Sequence, residues 1–300
     1  MKPVWGIDLG GTKIEGAILG SPESATVINR MRIPTEQEKG YRHIINQIVK
    51  LVDKMREDSG LSPEKIGIGT PGSFDPNTGL HKNSNTTCLN GMPFRKDLQE
   101  ALGLPLNMAN DANCFAMAEA RLGVVREEMP EARVVFGVIM GTGVGGGVVI
   151  NGQVINGRQG IAGEWGHNYL DDSGGPCYCG KVGCVETLIS GPALERYYEK
   201  ISGEQRRLRE IVERHRAGSD AHATQTVKRL VYFFGKGLSS VVNLIDPDAI
   251  VLGGGLGNID LLYDQGVESV RNFVFNTRLD TVFLAPRLGD SAGVFGAALL

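Results

Sequence analysis

The sequence predicts an α/β protein made of two related domains. An apolar run, a turn of glycine and hydroxyl residues and a second apolar run follow one another at residues 4–19, and the same order returns at 132–152. Between such runs lie segments whose apolar residues recur every three or four positions, the helical period. The chain has 300 residues, 41% hydrophobic and 22% charged, which is ordinary globular composition and leaves little room for disorder. Its formal net charge is -3. The Arg-rich stretch QRRLREIVERHR at 205–216 interleaves Leu, Ile, Val and Glu, so it reads as the solvated face of an amphipathic helix rather than a nucleic-acid patch. The opening MKPVWGIDLGG reaches Asp8 and two glycines before a signal peptide could form, and no run approaches the ~20 apolar residues of a membrane span. A cytoplasmic protein with no membrane or nucleic-acid partner is expected. In that reducing setting, five cysteines point to metal or catalysis before disulfides.

The elements follow in order. Residues 4–7 and 14–19 are strands joined by Asp8-Leu9-Gly10-Gly11-Thr12-Lys13. Ile44, Ile45, Ile48, Leu51, Val52 and Met55 mark a helix that Gly60 ends. Residues 65–69 read as a strand closing in the turn Thr70-Pro71-Gly72. Residues 104–108 form a strand that enters the helix NDANCFAMAEA at 110–120. After the second strand–turn–strand unit, residues 249–258 end a strand in a third glycine cluster, and a helix is expected over 261–273. The period is too long for a solenoid, so the repeat suggests duplicated domains with a boundary near residue 120: 1–120 and 121–288, with 289–300 returning to complete the first.

Glycine is the unusual component, 42 residues at about twice average usage. Clustered glycines let backbone N–H groups approach an anion without an intervening Cβ. There is no G-x-x-x-x-G-K-[ST], and the Gly10-Gly11 turn leads into a strand instead of a helix, so neither common nucleotide motif is present. Thr12, Lys13, Thr142 and Gly143 are nevertheless candidates for phosphate contact. Lys13 is equally readable as a surface lysine.

GEWGHNYLDDSGGPCYCGKVGCVE at 163–186 places His167, Cys177, Cys179 and Cys184 within one loop. One imidazole and three thiolates suit tetrahedral zinc, and four protein ligands leave no open position, so the metal is expected to be structural. Cys88 and Cys114 lie outside the cluster and read as small packing or surface residues. Glu164 and Glu186 flank it, as surface glutamates or as acceptors for a ligand's hydroxyls. His167 has a second nitrogen for a ligand or for an orienting partner.

Asp111 stands at a helix start and has two readings, N-cap or general base. The dipole there is expected to hold its carboxylate ionised and its pKa low.

VWGIDLGGTKIEGAIL, VIMGTGVGGG and IVLGGG resemble the two phosphate motifs and the adenosine motif of the sugar-kinase, actin and Hsp70 superfamily. With NDAN and the cysteine loop they are more narrowly similar to the ROK family over nearly the whole chain. The resemblance implies two ribonuclease-H-like (actin/hexokinase-type) α/β domains around an interdomain cleft, with ATP and a hexose between them. It implies Asp111 as the base for transfer to a 6-hydroxyl and Asp8 facing magnesium. It further implies Asp8, Gly10, Gly11, Thr12, Lys13, Thr142, Gly143, Gly254 and Gly255 around ATP, and the His-plus-three-Cys zinc site. The implied sugar set is Gly72, Asn85, Asn110, Asp111, Glu164, His167 and Glu186, with Asn83 the alternative to Asn85. The pattern looks most like the family's fructokinases (mannokinase-type), although the segment between His167 and Cys177 is short against some of them. Glucokinase and N-acetylglucosamine kinase members share NDAN and the zinc loop. Members are commonly homodimers. The family's sugar-responsive repressors carry a DNA-binding segment ahead of the core, for which a first motif at residue 6 leaves no room.

Overall fold

The computed structural model describes residues 2–300. The chain forms two compact units, Met1–Glu131 with Gly147–Gly163 and Pro286–Leu300, and Ala132–Gly146 with Glu164–Ala285. The expected boundary near residue 120 therefore falls inside the first unit, and the chain returns to that unit twice. The second return contains the segment 289–300 expected to complete the first domain; the first, 147–163, has no local signature, because it depends on packing.

In the first unit the strands are β1 (Val4–Leu9), β2 (Lys13–Ser21) and β3 (Ser24–Pro34), then, after α1 (Tyr41–Ser59), β4 (Ile66–Thr70). A short hairpin, β5 (Ser73–Phe74) and β6 (His81–Lys82), precedes α2 (Phe94–Leu102), β7 (Leu106–Asn110) and α3 (Asp111–Arg121). The sheet order is β3-β2-β1-β4-β7, antiparallel across the first three strands and parallel from β1 to β7. The apolar stripe of α1 buries Ile44, Ile45, Ile48, Leu51, Val52 and Met55 in one core with Ile7, Leu9, Ile14 and Ile18. Gly60, in the left-handed conformation at φ 67°, ends that helix by donating to Arg56 O. The strand β3 was absent from the sequence expectation. Most of its residues are exposed, and its pairing is supported instead by Arg30 and Arg32, which reach the buried Glu15 at 2.5 and 2.8 Å.

The chain continues through α4 (Val124–Glu128), β8 (Val134–Met140), β9 (Val144–Ile150) and β10 (Gln153–Val154). Four helices follow: α5 (Glu186–Ile189), α6 (Gly191–Ser202), α7 (Leu208–Arg216) and α8 (Ala221–Ile245). Then come β11 (Ala249–Gly253), α9 (Val267–Arg271), β12 (Val282–Leu284) and α10 (Ala292–Ala298). The second sheet has order β10-β9-β8-β11-β12, the same pattern as the first. Residues 262–266 form a π turn before α9, so the expected helix over 261–273 is shorter and less regular.

In the first unit α10 lies directly on the strands. A Cβ at Gly6 would come within 2.2 Å of Val294 O, one at Gly67 within 1.8 Å of Ala297 O, and one at Gly296 within 1.7 Å of Cys114 O in α3. Part of the glycine excess therefore serves close packing and not ligand turns. Among the described residues no helix is long and apolar enough to cross a membrane.

Candidate active site

In the first unit the C-terminal ends of β1, β4 and β7 present the candidate residues together. The turn after β1 is closed by Gly10 N donating to Lys13 O at 2.9 Å, and Thr35 Oγ1 donates to Gly10 O at 2.6 Å. Thr12 and Lys13 stand exposed at its tip. Asp8 precedes the turn, with its carboxyl packed against Gly293 and Gly69, where a Cβ would lie 2.9 and 3.3 Å from its oxygens. Burial, then the neighbouring charges of Asp111 and Glu15, push Asp8 up to about 7, with Lys13 opposing. A carboxyl held this way gains from a cation beside it. That is the chemistry expected of a residue facing magnesium.

Asn110 ends β7 and caps α3, its Oδ1 accepting the Ala112 N–H at 2.8 Å. Asp111 is the first helical residue and shares that donor through its own Oδ1, also at 2.8 Å. The cap is thus supplied by Asn110. Asp111 remains open to solvent on one side, while protein crowds the remainder of its carboxyl. That desolvation raises its pKa against the Ala112 and Asn110 hydrogen bonds, which corrects the expectation of a lowered value. Burial outweighs those hydrogen bonds.

Two neighbours fix the Pro71-Gly72 turn. Asn110 Nδ2 donates to Gly72 O at 3.1 Å, and the buried His81 bonds through Nε2 to Pro71 O at 2.8 Å. Burial lowers the His81 pKa and keeps the ring neutral. Gly72 has φ 77° and no room for a Cβ, which would lie 2.4 Å from Lys82 O. Asn83 and Asn85 are both exposed; Asn83 is left-handed at φ 59°. Asn90 braces this loop by accepting from Ser84 N and donating to Ser84 O. His81 and Asn90 act through backbone, and the sequence offered no signal for either.

In the second unit Gly141, Thr142, Gly255 and Leu256 share a cavity of about 650 Å³ with Gly191, Pro192, Leu208, Val212 and Arg216. Thr142 is exposed. Gly254, at φ 76°, lies against Met140, whose O would be 2.3 Å from a Cβ, so it shapes the turn beside the cavity. Gly143 faces Glu186. The Arg-rich stretch reads as an amphipathic helix, but the cavity that α7 walls is a finding the sequence missed. Another cavity, of about 580 Å³ near Lys2, Trp5 and Gly67, sits at the opposite strand ends of the first unit, away from Asp8 and Asp111.

The metal candidates also meet. The ligand atoms of His167, Cys177, Cys179 and Cys184 all lie within 4.8 Å of one another. Cys177 Sγ is 3.6 Å from His167 Nδ1, and Cys179 Sγ is 3.6 Å from Cys184 Sγ. A tetrahedron with zinc–sulfur bonds of ~2.3 Å has edges near ~3.8 Å, so the set fits the ion. Burial, then bonds to the other thiols, pushes Cys184 up to about 12, a cost that a bound cation removes. His167 Nε2 pairs with Tyr178 Oη at 3.0 Å, and the two rings meet edge to face at 5.1 Å. Tyr178 is thus the orienting partner. Cys88 is half-buried, and Cys114 is fully buried beside Ala109 and Ala297.

Comparison with known proteins returns a consistent pattern. The model of the ROK family matches residues 4–300. The N-acetyl-D-glucosamine kinase of Aliivibrio salmonicida (strain LFI1238) is 34% identical over 306 residues, covering 99% of this chain and 98% of that protein. The ROK hexokinase from Thermus thermophilus superposes with a TM-score of 0.88 at 33% identity, over 99% of this chain and 97% of that one. A ROK family glucokinase from Streptomyces griseus, solved with glucose and AMPPNP, gives 0.77 at 29% identity, over 99% and 98%.

Proposed function

This chain belongs to the ROK family, and we propose that it is an ATP-dependent kinase for the 6-hydroxyl of a hexose. The position of Asp111 carries this reading. Asn110 has taken over capping, and desolvation has made the adjacent carboxylate a stronger base than an ordinary surface aspartate. As the bond from the 6-oxygen to the γ-phosphorus forms and the bond to the ADP oxygen breaks, Asp111 accepts the hydroxyl proton.

Asp8 faces the metal-phosphate region, with Gly10, Gly11, Thr12 and Lys13 as the adjoining turn. Bound magnesium supplies neutralisation of the phosphate charge there. Thr142 and Gly143 bring a second phosphate turn. Gly254 and Gly255 lead to a cavity whose Leu208, Val212 and Leu256 suit the faces of adenine. The sugar set is Gly72, Asn85, Asn110, Glu164 and Glu186; His167, expected in that set, has its Nε2 taken by Tyr178 and serves it as a metal ligand between the two glutamates. A structural zinc on His167, Cys177, Cys179 and Cys184 braces the segment between the two glutamates.

N-acetyl-D-glucosamine leads as substrate, because relatives matched along the whole chain are named for it. Fructose, the first expectation from the motifs, has no such support and stays in the panel with glucose and mannose. ADP release is measured with each sugar in Mg·ATP, and the phosphorylated position is read by phosphorus NMR. A sugar-dependent rate with a 6-phosphate product supports the proposal. Silence from every sugar at millimolar concentration ends it.

A further inference from the structure

The glycine turn at Gly141–Val144 is gripped by the two segments that flank the cysteine cluster. Before the cluster, Trp165 Nε1 donates to Gly145 O at 2.9 Å, and Gly166 lies so close to Val144 that a Cβ would be 1.9 Å from its carbonyl oxygen. After the cluster, Glu186 Oε2 accepts the Val144 N–H at 2.9 Å. A Cβ on Gly143 would lie 2.6 Å from that same oxygen, so glycine is needed there to admit the carboxylate. Gly191 N closes the grip by donating to Gly141 O at 2.9 Å. Between these anchors, Thr142 projects into the wall of the 650 Å³ cavity.

We propose that Glu186 is a positioning residue for the nucleotide: by holding Val144 N–H it fixes the Gly141–Val144 turn and aims Thr142 at the phosphates. This deepens the kinase reading and rests on the cavity being the nucleotide site. In that reading Glu186 also meets a sugar hydroxyl. Oε2 is committed to the turn, so Oε1 is the oxygen left for the sugar. One carboxylate then serves both ligands, and nucleotide affinity depends on it even with no sugar present. A glutamate that only contacted sugar would not have that effect.

The test is calorimetric titration of the zinc-loaded, full-length protein with Mg·AMPPNP in the absence of sugar. Three variants separate reach from charge. Glu186→Gln keeps an oxygen at the same distance and stays within about threefold of wild type. Glu186→Ala removes the acceptor, and Glu186→Asp withdraws it by one methylene; each weakens binding roughly tenfold, as expected for a lost hydrogen bond to a charged group. Zinc content and circular dichroism establish that the variants are folded, and Glu186→Asp decides the matter should Glu186→Ala be unstable. Nucleotide affinity unchanged in both Glu186→Ala and Glu186→Asp overturns the positioning role while leaving the kinase reading intact. A wild-type protein that takes up no nucleotide overturns the reading of the cavity itself.

Discussion

Asp8 and Asp111 are carboxyls shifted in the same direction by the same leading cause, burial, to which neighbouring charges add at Asp8. Asp8 is pushed up to about 7 by burial and by the charges of Asp111 and Glu15. Asp111 is raised chiefly by desolvation. A group with a raised folded-state pKa stabilises the fold fully below its unfolded value of 3.8, and that contribution is lost as pH rises through about 7. Without magnesium, Asp8 therefore makes the protein less stable at pH 7.5 than at pH 5 relative to an isosteric neutral residue. Asp8→Asn should raise the melting temperature at pH 7.5, raise it less at pH 5, and lower Mg·ATP-dependent turnover; a melting difference independent of pH contradicts the Asp8 account. The acid limb of kcat/KM should fall well above the ordinary carboxylate range of ~4, because free enzyme must lose protons from both groups. A pH–rate profile measured down to pH 5 checks it. NDAN announced a helix start bearing a carboxylate, and that much was legible. The sign of the Asp111 shift was not, since desolvation has no local pattern. Tyr178 was invisible for a similar reason: one aromatic between two cysteines matches no motif until His167 is seen against it.

At the scale of elements, the strands flanking the glycine turns were legible because their apolar runs are buried on both faces. Strand β3 was not, because Arg30 and Arg32 replace the apolar signal with ion pairs to Glu15. Helix α7 was legible as amphipathic, but the place of its Leu208 and Val212 in a cavity wall was not. Helix α10 depends on glycine contacts with its neighbours. Gly296→Ala drives a methyl into the Cys114 carbonyl of α3. It should cost about 3 kcal/mol or more, because backbone must move, and denaturant unfolding of the variant measures it. A loss near zero would mean that α10 does not seat this way. In the proposed zinc loop the four ligands hold the element. Cys184→Ser should lose most of the bound metal from about one zinc per chain and melt several degrees lower; wild-type protein purified without zinc and equally stable would contradict the assignment.

For the molecule as a whole, duplication was visible in the sequence because both halves repeat strand, turn and strand, and both sheets have the same strand order. The return of 286–300 spans the segment 289–300 that the sequence assigned to the first domain, whereas the return of 147–163 was not visible. Gly147 packs onto Ala112, where a Cβ would lie 2.5 Å from the carbonyl, and Glu119 accepts from Arg287 N and Leu288 N. Such pairings join positions far apart in the chain. The first unit holds the acidic pair Asp8 and Asp111 and the Pro71-Gly72 turn that Asn110 fixes. The second holds the 650 Å³ cavity and the glutamates that flank the cysteine cluster. The claim on which the rest depends is that Asp111 takes the proton from the sugar. Its most direct test is steady-state turnover of Asp111→Asn on the best sugar of the panel, with sugar and nucleotide affinities measured by calorimetry. A fall in kcat of roughly a hundredfold or more, with both affinities within a few-fold of wild type, is the predicted result. A variant that turns over within tenfold of wild type would contradict it.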